Sequence, residues 1–140
     1  MGCDIHVYLE INVNGKWYYV GAIDSHRSYF VFNLLSGVRG DRETGICYMS
    51  ETDSEVDECM LSPELKERLD IGKGDYHSLT IITLDTLEEV NKEITDTPNE
   101  TEESADWKSK LYTYNWERIM RKLSIQEVVD DVRIVAFYDN

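Results

Sequence analysis

The first thirteen residues alternate so regularly that they leave one backbone form open to them. Cys3, Ile5, Val7, Leu9, Ile11 and Val13 fall on one side, and Asp4, His6, Tyr8, Glu10 and Asn12 on the other. A period of two is that of a half-buried β-strand. Asn14-Gly15 follows at once, and both residue types accept the positive φ that a type I′ hairpin turn demands. Residues 16–23, with Trp17, Tyr18, Tyr19 and Val20, suit the returning antiparallel strand.

Further along, the patterns point to helices and one more long strand. Residues 27–35 read as a short helix, with Ser25 or Ser28 as its cap and Gly37 where it stops. Residues 38–60 have no period, contain Gly40 and Gly45, and read as a long irregular loop. Ser62-Pro63 opens a helix that runs to about Asp70, before Gly72 and Gly74. Leu79 to Thr83 is extended, and Thr83 or Asp85 begins a helix through Ile94. Residues 95–105 form an acidic linker around Pro98. Trp107 to Leu123 is the strongest helix, with Leu111, Tyr114, Ile119 and Leu123 expected on its apolar side. Val132 to Tyr138 is the last strand. These elements predict an α+β fold over 1–140 as a single domain: an antiparallel sheet built on the N-terminal hairpin and the C-terminal strand, with helices packed on one face.

Charge narrows the partners. The formal net charge of −14 argues against a phosphate-backbone binder, which needs Lys and Arg, so direct nucleic-acid binding is not expected. It fits a solvated surface, or one that docks on a basic partner. No run of apolar residues approaches a membrane span. Three cysteines, Cys3, Cys47 and Cys59, with no signal-peptide pattern before them, read as reduced thiols in a cytosol.

Each histidine follows an aspartate at the same offset: Asp4/His6, Asp24/His26 and Asp75/His77. On a strand, residues two apart share a face, so an Asp-x-His pair offers an oxygen and a nitrogen to one ion. Asp4, His6, Asp75 and His77 form the candidate metal site, suited to Zn²⁺ ahead of Mn²⁺, Fe²⁺ or Ni²⁺. The plainer reading of such pairs is a hydrogen bond that holds a histidine tautomer. For Asp24 and His26, in a strand-to-helix connection, a turn residue and a surface histidine are expected. A thiol centre of Cys3, Cys47 and Cys59 with one histidine ranks lower, because no C-x₂-C spacing supports it.

The acids Asp41, Glu43, Glu51, Asp53, Glu55, Asp57 and Glu58 do not match a calcium-binding EF-hand loop. They read as a solvated loop or as an acidic docking surface, which Glu100, Glu102, Glu103 and Asp106 would extend. Tyr48, Met49 and Met60 are candidate apolar anchors, with core packing the expected use of Met60.

The opening Met1-Gly2-Cys3-Asp4-Ile5-His6 resembles the start of a family of short bacteriophage proteins. Gly15-Lys16-Trp17, Arg27-x-Tyr29, Phe32, Leu35-Ser36-Gly37-Val38-Arg39, Asp75-x-His77-Ser78, Leu84-Asp85, Val132-Arg133-Ile134-Val135 and Phe137-Tyr138-Asp139-Asn140 agree with it. One branch of that family looks like a zinc-containing anti-CRISPR, an inhibitor of type II Cas9. The resemblance implies a non-enzymatic phage protein, acting in the cytoplasm of the infected bacterium, that binds Cas9 and hinders loading of target DNA. Its zinc would be structural. The segments 41–60 and 95–106 lie outside the resemblance.

Two other function classes compete. A small metal-dependent hydrolase acting on a nucleotide would need an open coordination position and a base, for which Glu10 is the candidate on the Asp4/His6 side of the strand. A small-molecule binder would use the Tyr and Trp content for stacking, although those residues are more often core.

Overall fold

The computed structural model describes residues 2–72, 74–97 and 107–140, the first five of the last stretch by backbone alone. β1 (Asp4–Val13) and β2 (Lys16–Ala22) form the expected hairpin. Asn14 at φ 52° and Gly15 at φ 82° are both left-handed, as the type I′ turn requires. β5 (Asp131–Asp139) pairs antiparallel with β1 along its length. β4 (Tyr76–Thr83) pairs with the other side of β5, and the two-residue β3 (Tyr48–Met49) ends the sheet. The order is β2-β1-β5-β4-β3, with every neighbour antiparallel. The class is therefore α+β, as expected.

β5 is central because both of its sides are apolar. Val132, Ile134, Ala136 and Tyr138 face one way, Val135 and Phe137 the other, and all are buried. On the first face they join Cys3, Ile5, Val7 and Leu9 beneath α1 (Tyr29–Ser36), α4 (Leu84–Asp96) and α5 (Trp107–Ser124). These are the helices of the expected packed face. The second face carries a smaller core of Tyr8, Leu79, Val135 and Phe137 against Leu65, with Val56, Cys59, Leu61 and Leu69 around it. Two short helices, α2 (Asp53–Glu58) and α3 (Pro63–Ile71), supply that cover. As a result Tyr8 and Glu10, on the side of β1 that alternation leaves to solvent, are buried.

Local chemistry explains the element ends. Ser28 caps α1 through Val31 N, and Gly37 closes it at φ 72°. Thr52 and Glu55 form a reciprocal capping box on α2. That helix lies inside the stretch expected to be irregular. None of its residues is buried, so no apolar period marks it and the cap is its only signal. Tyr76 extends β4 three residues ahead of the expected start, and a bulge between His77 and Thr80 places Ser78 at φ 58°.

α5 differs in phase. Its buried stripe is Tyr112, Trp116 and Met120, while Ile119 is 36% exposed. Three of the four residues expected on its apolar side, Tyr114, Ile119 and Leu123, are less buried than this stripe; Leu111 lies among the residues described by backbone alone. The reason is tertiary: Trp116 Nε1 donates to Asp24 O at 2.8 Å, and its ring meets Tyr112 at 4.9 Å. The linker expected over 95–105 falls outside the described residues beyond Thr97; Thr95 and Asp96 finish α4.

Candidate functional site: the converging strand ends

β1 begins, β5 ends and β4 begins at one end of the sheet. Segments far apart in sequence meet there. The Asp4 carboxylate accepts from Arg27 Nε at 2.8 Å and a second guanidinium nitrogen at 2.7 Å. His6 Nε2 lies 2.6 Å from Asp139 Oδ2, and the ring packs on Tyr76 and Phe137 at 5.2 and 5.6 Å. Cys3 N donates to Tyr29 Oη at 3.1 Å. Arg39 stacks over the Tyr29 ring and reaches Asn140 Oδ1 at 3.3 Å.

On the first face, with Cys3 and Tyr29, Ser36 Oγ is 2.7 Å from both Tyr138 Oη and Thr80 Oγ1, and the His77 ring stacks on Tyr138. Burial pushes the Tyr138 phenol above the ordinary tyrosine range. Several of the segments that carry the phage-protein resemblance (2–6, 27–39, 75–78 and 137–140) are thereby drawn into one end of the sheet.

The four residues proposed as metal ligands are not brought together. Cross-strand partners share a face. His6 is registered with Phe137, and His77 with Tyr138, so the two histidines project from opposite faces with β5 between them. Asp4 is engaged by Arg27. Asp75, exposed, precedes β4. His77 Nδ1 meets Ser78 Oγ at 2.9 Å, and its buried Nε2 has no partner among the described residues. Among the described residues no three His, Cys, Asp or Glu side chains converge in a geometry that would hold an ion. The zinc implied by the resemblance does not fit the Asp4, His6, Asp75 and His77 set in this arrangement. The nearest approach to an N/O site is His6 with Asp139, and Asp4 is the register partner of Asp139. Asp139 was missed in the sequence because its pairing with His6 spans almost the whole chain.

The thiols are also apart from any such site. Cys3 and Cys47 are buried on the first face, and burial raises Cys3 and pushes Cys47 up to about 11. Asp24 and His26 stay in the β2–α1 connection, exposed, with the His26 ring 5.7 Å from Tyr112.

Glu10 holds a different post from the expected base. It is fully buried; Oε1 accepts from Arg133 Nε at 2.9 Å and Oε2 from Ser62 N at 2.7 Å. Arg133 also donates to Cys59 O at 2.7 Å and stacks on Trp17 at 3.9 Å. Both oxygens are engaged, and the pair clasps the α2–α3 connection to the sheet. A buried carboxylate so occupied is not free to take a proton from water at a site.

The acids of 41–59 mostly face outward. Asp41 accepts from Asn33 Nδ2 at 3.0 Å, and Glu55 turns back to accept from Glu51 N and Thr52 N, which holds its carboxyl below the usual range. Glu43, Glu51, Asp53, Asp57 and Glu58 are exposed. Tyr48 is half exposed, and Met60, expected to be core, is 62% exposed at φ 52°. Its outward turn follows from the clasp, which takes the backbone on either side of it. Glu100, Glu102, Glu103 and Asp106 lie outside the described residues.

The chain matches no protein-family model, no curated protein and no solved structure. Among the described residues, no helix is long and apolar enough to cross a membrane.

Proposed function

We propose that this chain is a non-enzymatic interaction protein: a phage-encoded inhibitor whose acidic surface docks on the basic surface of a host defence nuclease, type II Cas9, and hinders loading of target DNA in the cytoplasm of the infected bacterium. The choice of partner rests on the resemblance at both ends and in the middle of the chain. The observation that carries the docking itself is the set of exposed carboxylates at Glu51, Asp53, Asp57 and Glu58, on α2 and just before it, on a chain of net charge −14. Nucleases of this kind hold guide and target in positively charged channels. An acidic protein is steered toward such channels at low ionic strength and competes there with nucleic acid. The converging strand ends serve as the tie that holds the sheet together beneath that surface.

The test is gel filtration of the purified chain with Cas9, alone and guide-loaded, at low and high salt, followed by a target-DNA binding assay. Co-elution that weakens with salt, together with loss of target binding, is the expected result. Reversing Glu51, Asp53 and Asp57 to Lys should weaken the complex while leaving the melting temperature nearly unchanged. No complex with either form of Cas9 would end the proposal.

A further inference from the structure

Beside the strand ends, on the second face of the sheet, lies an open cleft of about 440 Å³. Its floor holds Tyr76, Leu79 and Phe137, with the Tyr76 and Phe137 rings 4.6 Å apart. Glu51, Asp53, Asp57 and Asp70 also line it, together with Lys66. The sequence dictates this arrangement locally. The Thr52–Glu55 capping box sets the start of α2, and Asp53 and Asp57, four apart, then fall on one side of it. The box also turns the Glu55 carboxylate back onto backbone N–H groups.

We infer that this cleft takes a lysine or arginine side chain from a basic segment of a partner protein. The inference rests on the docking proposed above and names where that docking is seated. A long cationic side chain has an apolar stem and a charged head, and buries the one while keeping the other among polar groups. Val56, Leu69 and Tyr76, each partly exposed, meet the stem, and the Tyr76 ring attracts a cation. The carboxylates at the rim complement the head group, and an anionic ligand would be repelled by the same groups. The cleft falls in the size range of sites that enclose a small ligand, so it holds a side chain with its flanking backbone rather than a flat interface.

The experiment is an NMR titration of ¹⁵N-labelled protein with acetyl-Arg-Arg-Arg-amide, in EDTA, with acetyl-Ser-Ser-Ser-amide as control. Saturable shifts confined to Val56, Tyr76, Leu79 and their neighbours are expected with the arginine peptide alone. D57N/D70N, which changes two exposed side chains, should bind the peptide about fivefold more weakly at an unchanged melting temperature. Shifts spread over all the acids without saturation, or equal affinity in D57N/D70N, would overturn the inference. So would a response to putrescine with none to the peptide, which would mark a small-amine pocket. The same variant assayed against Cas9 separates the two readings. Wild type and variant binding Cas9 equally would remove the cleft and keep the function. Peptide seated in the cleft with no Cas9 binding would keep the cleft and remove that partner.

Discussion

His6 and His77 stand on opposite faces of one sheet, because His6 is registered with Phe137 and His77 with Tyr138, the next residue of the same strand. Each Asp-x-His motif is a sound local pair. The strand inserted between them decides that the two pairs do not share an ion in this arrangement.

Elemental analysis of untagged protein checks this directly. Any zinc carried by the wild type should fall in His6→Ala and Asp139→Ala, the N/O pair in contact, and persist in His77→Ala. Zinc lost from His77→Ala would show that metal binding rearranges the strand ends. A zinc-free wild type would remove the metal altogether.

Glu10→Ala leaves Arg133 buried without its counter-charge and Ser62 N without its acceptor. Removing one partner of a buried pair costs about 3–5 kcal/mol. Urea unfolding should show that loss. Proteolysis in the native state should also become faster within 59–62, where the clasp holds the backbone. A loss under about 1 kcal/mol would place the pair in a wetter setting than its burial indicates.

The phase of α5 separates two variants one helical turn apart. Trp116→Ala removes a 1% exposed ring and should cost about 3–5 kcal/mol. Ile119→Ala, at 36% exposure, should cost less than about 1 kcal/mol. Equal losses would restore the apolar side expected from the sequence.

Glu55 provides a pH test. Its backbone hydrogen bonds lower the carboxyl pKa in the folded state relative to the ordinary 4.5. The contribution is therefore present above 4.5 and is lost as pH falls through the lower folded value. The melting temperature of Glu55→Gln should lie below wild type at neutral pH, and the gap should close in acid. A gap that persists at low pH would mean that packing, not the charged cap, is responsible.

Alkylation with iodoacetamide at mildly alkaline pH should modify Cys59 before Cys3 and Cys47. Cys59 is only half buried, whereas burial keeps the Cys47 thiol protonated up to about 11. Early modification of Cys47 would show that the first core opens readily.

Much of the fold was legible because its signals are local. The alternation of 3–13, the Asn14-Gly15 turn, Ser28, Gly37 and Thr83 all act within a few residues, and the structure follows them. Where apolar residues give no period, as in α2, the pattern predicts a loop even though the capping box is present in the sequence. On α5 the period was visible, but the packing partner that selects its phase was not.

The candidate site was legible only in its halves. Sequence by itself determined that Asp4 and His6 share a strand face opposite Cys3 and Ile5, that the chain is strongly acidic, and that its 41–59 acids have no metal-loop spacing. Tertiary structure alone decided that His6 meets Asp139, Glu10 meets Arg133, and His77 turns away from His6. The reason is range. Side-chain direction within a strand follows from a backbone period of two residues, whereas strand order and register follow from burying both sides of β5, a condition that no short stretch of sequence contains.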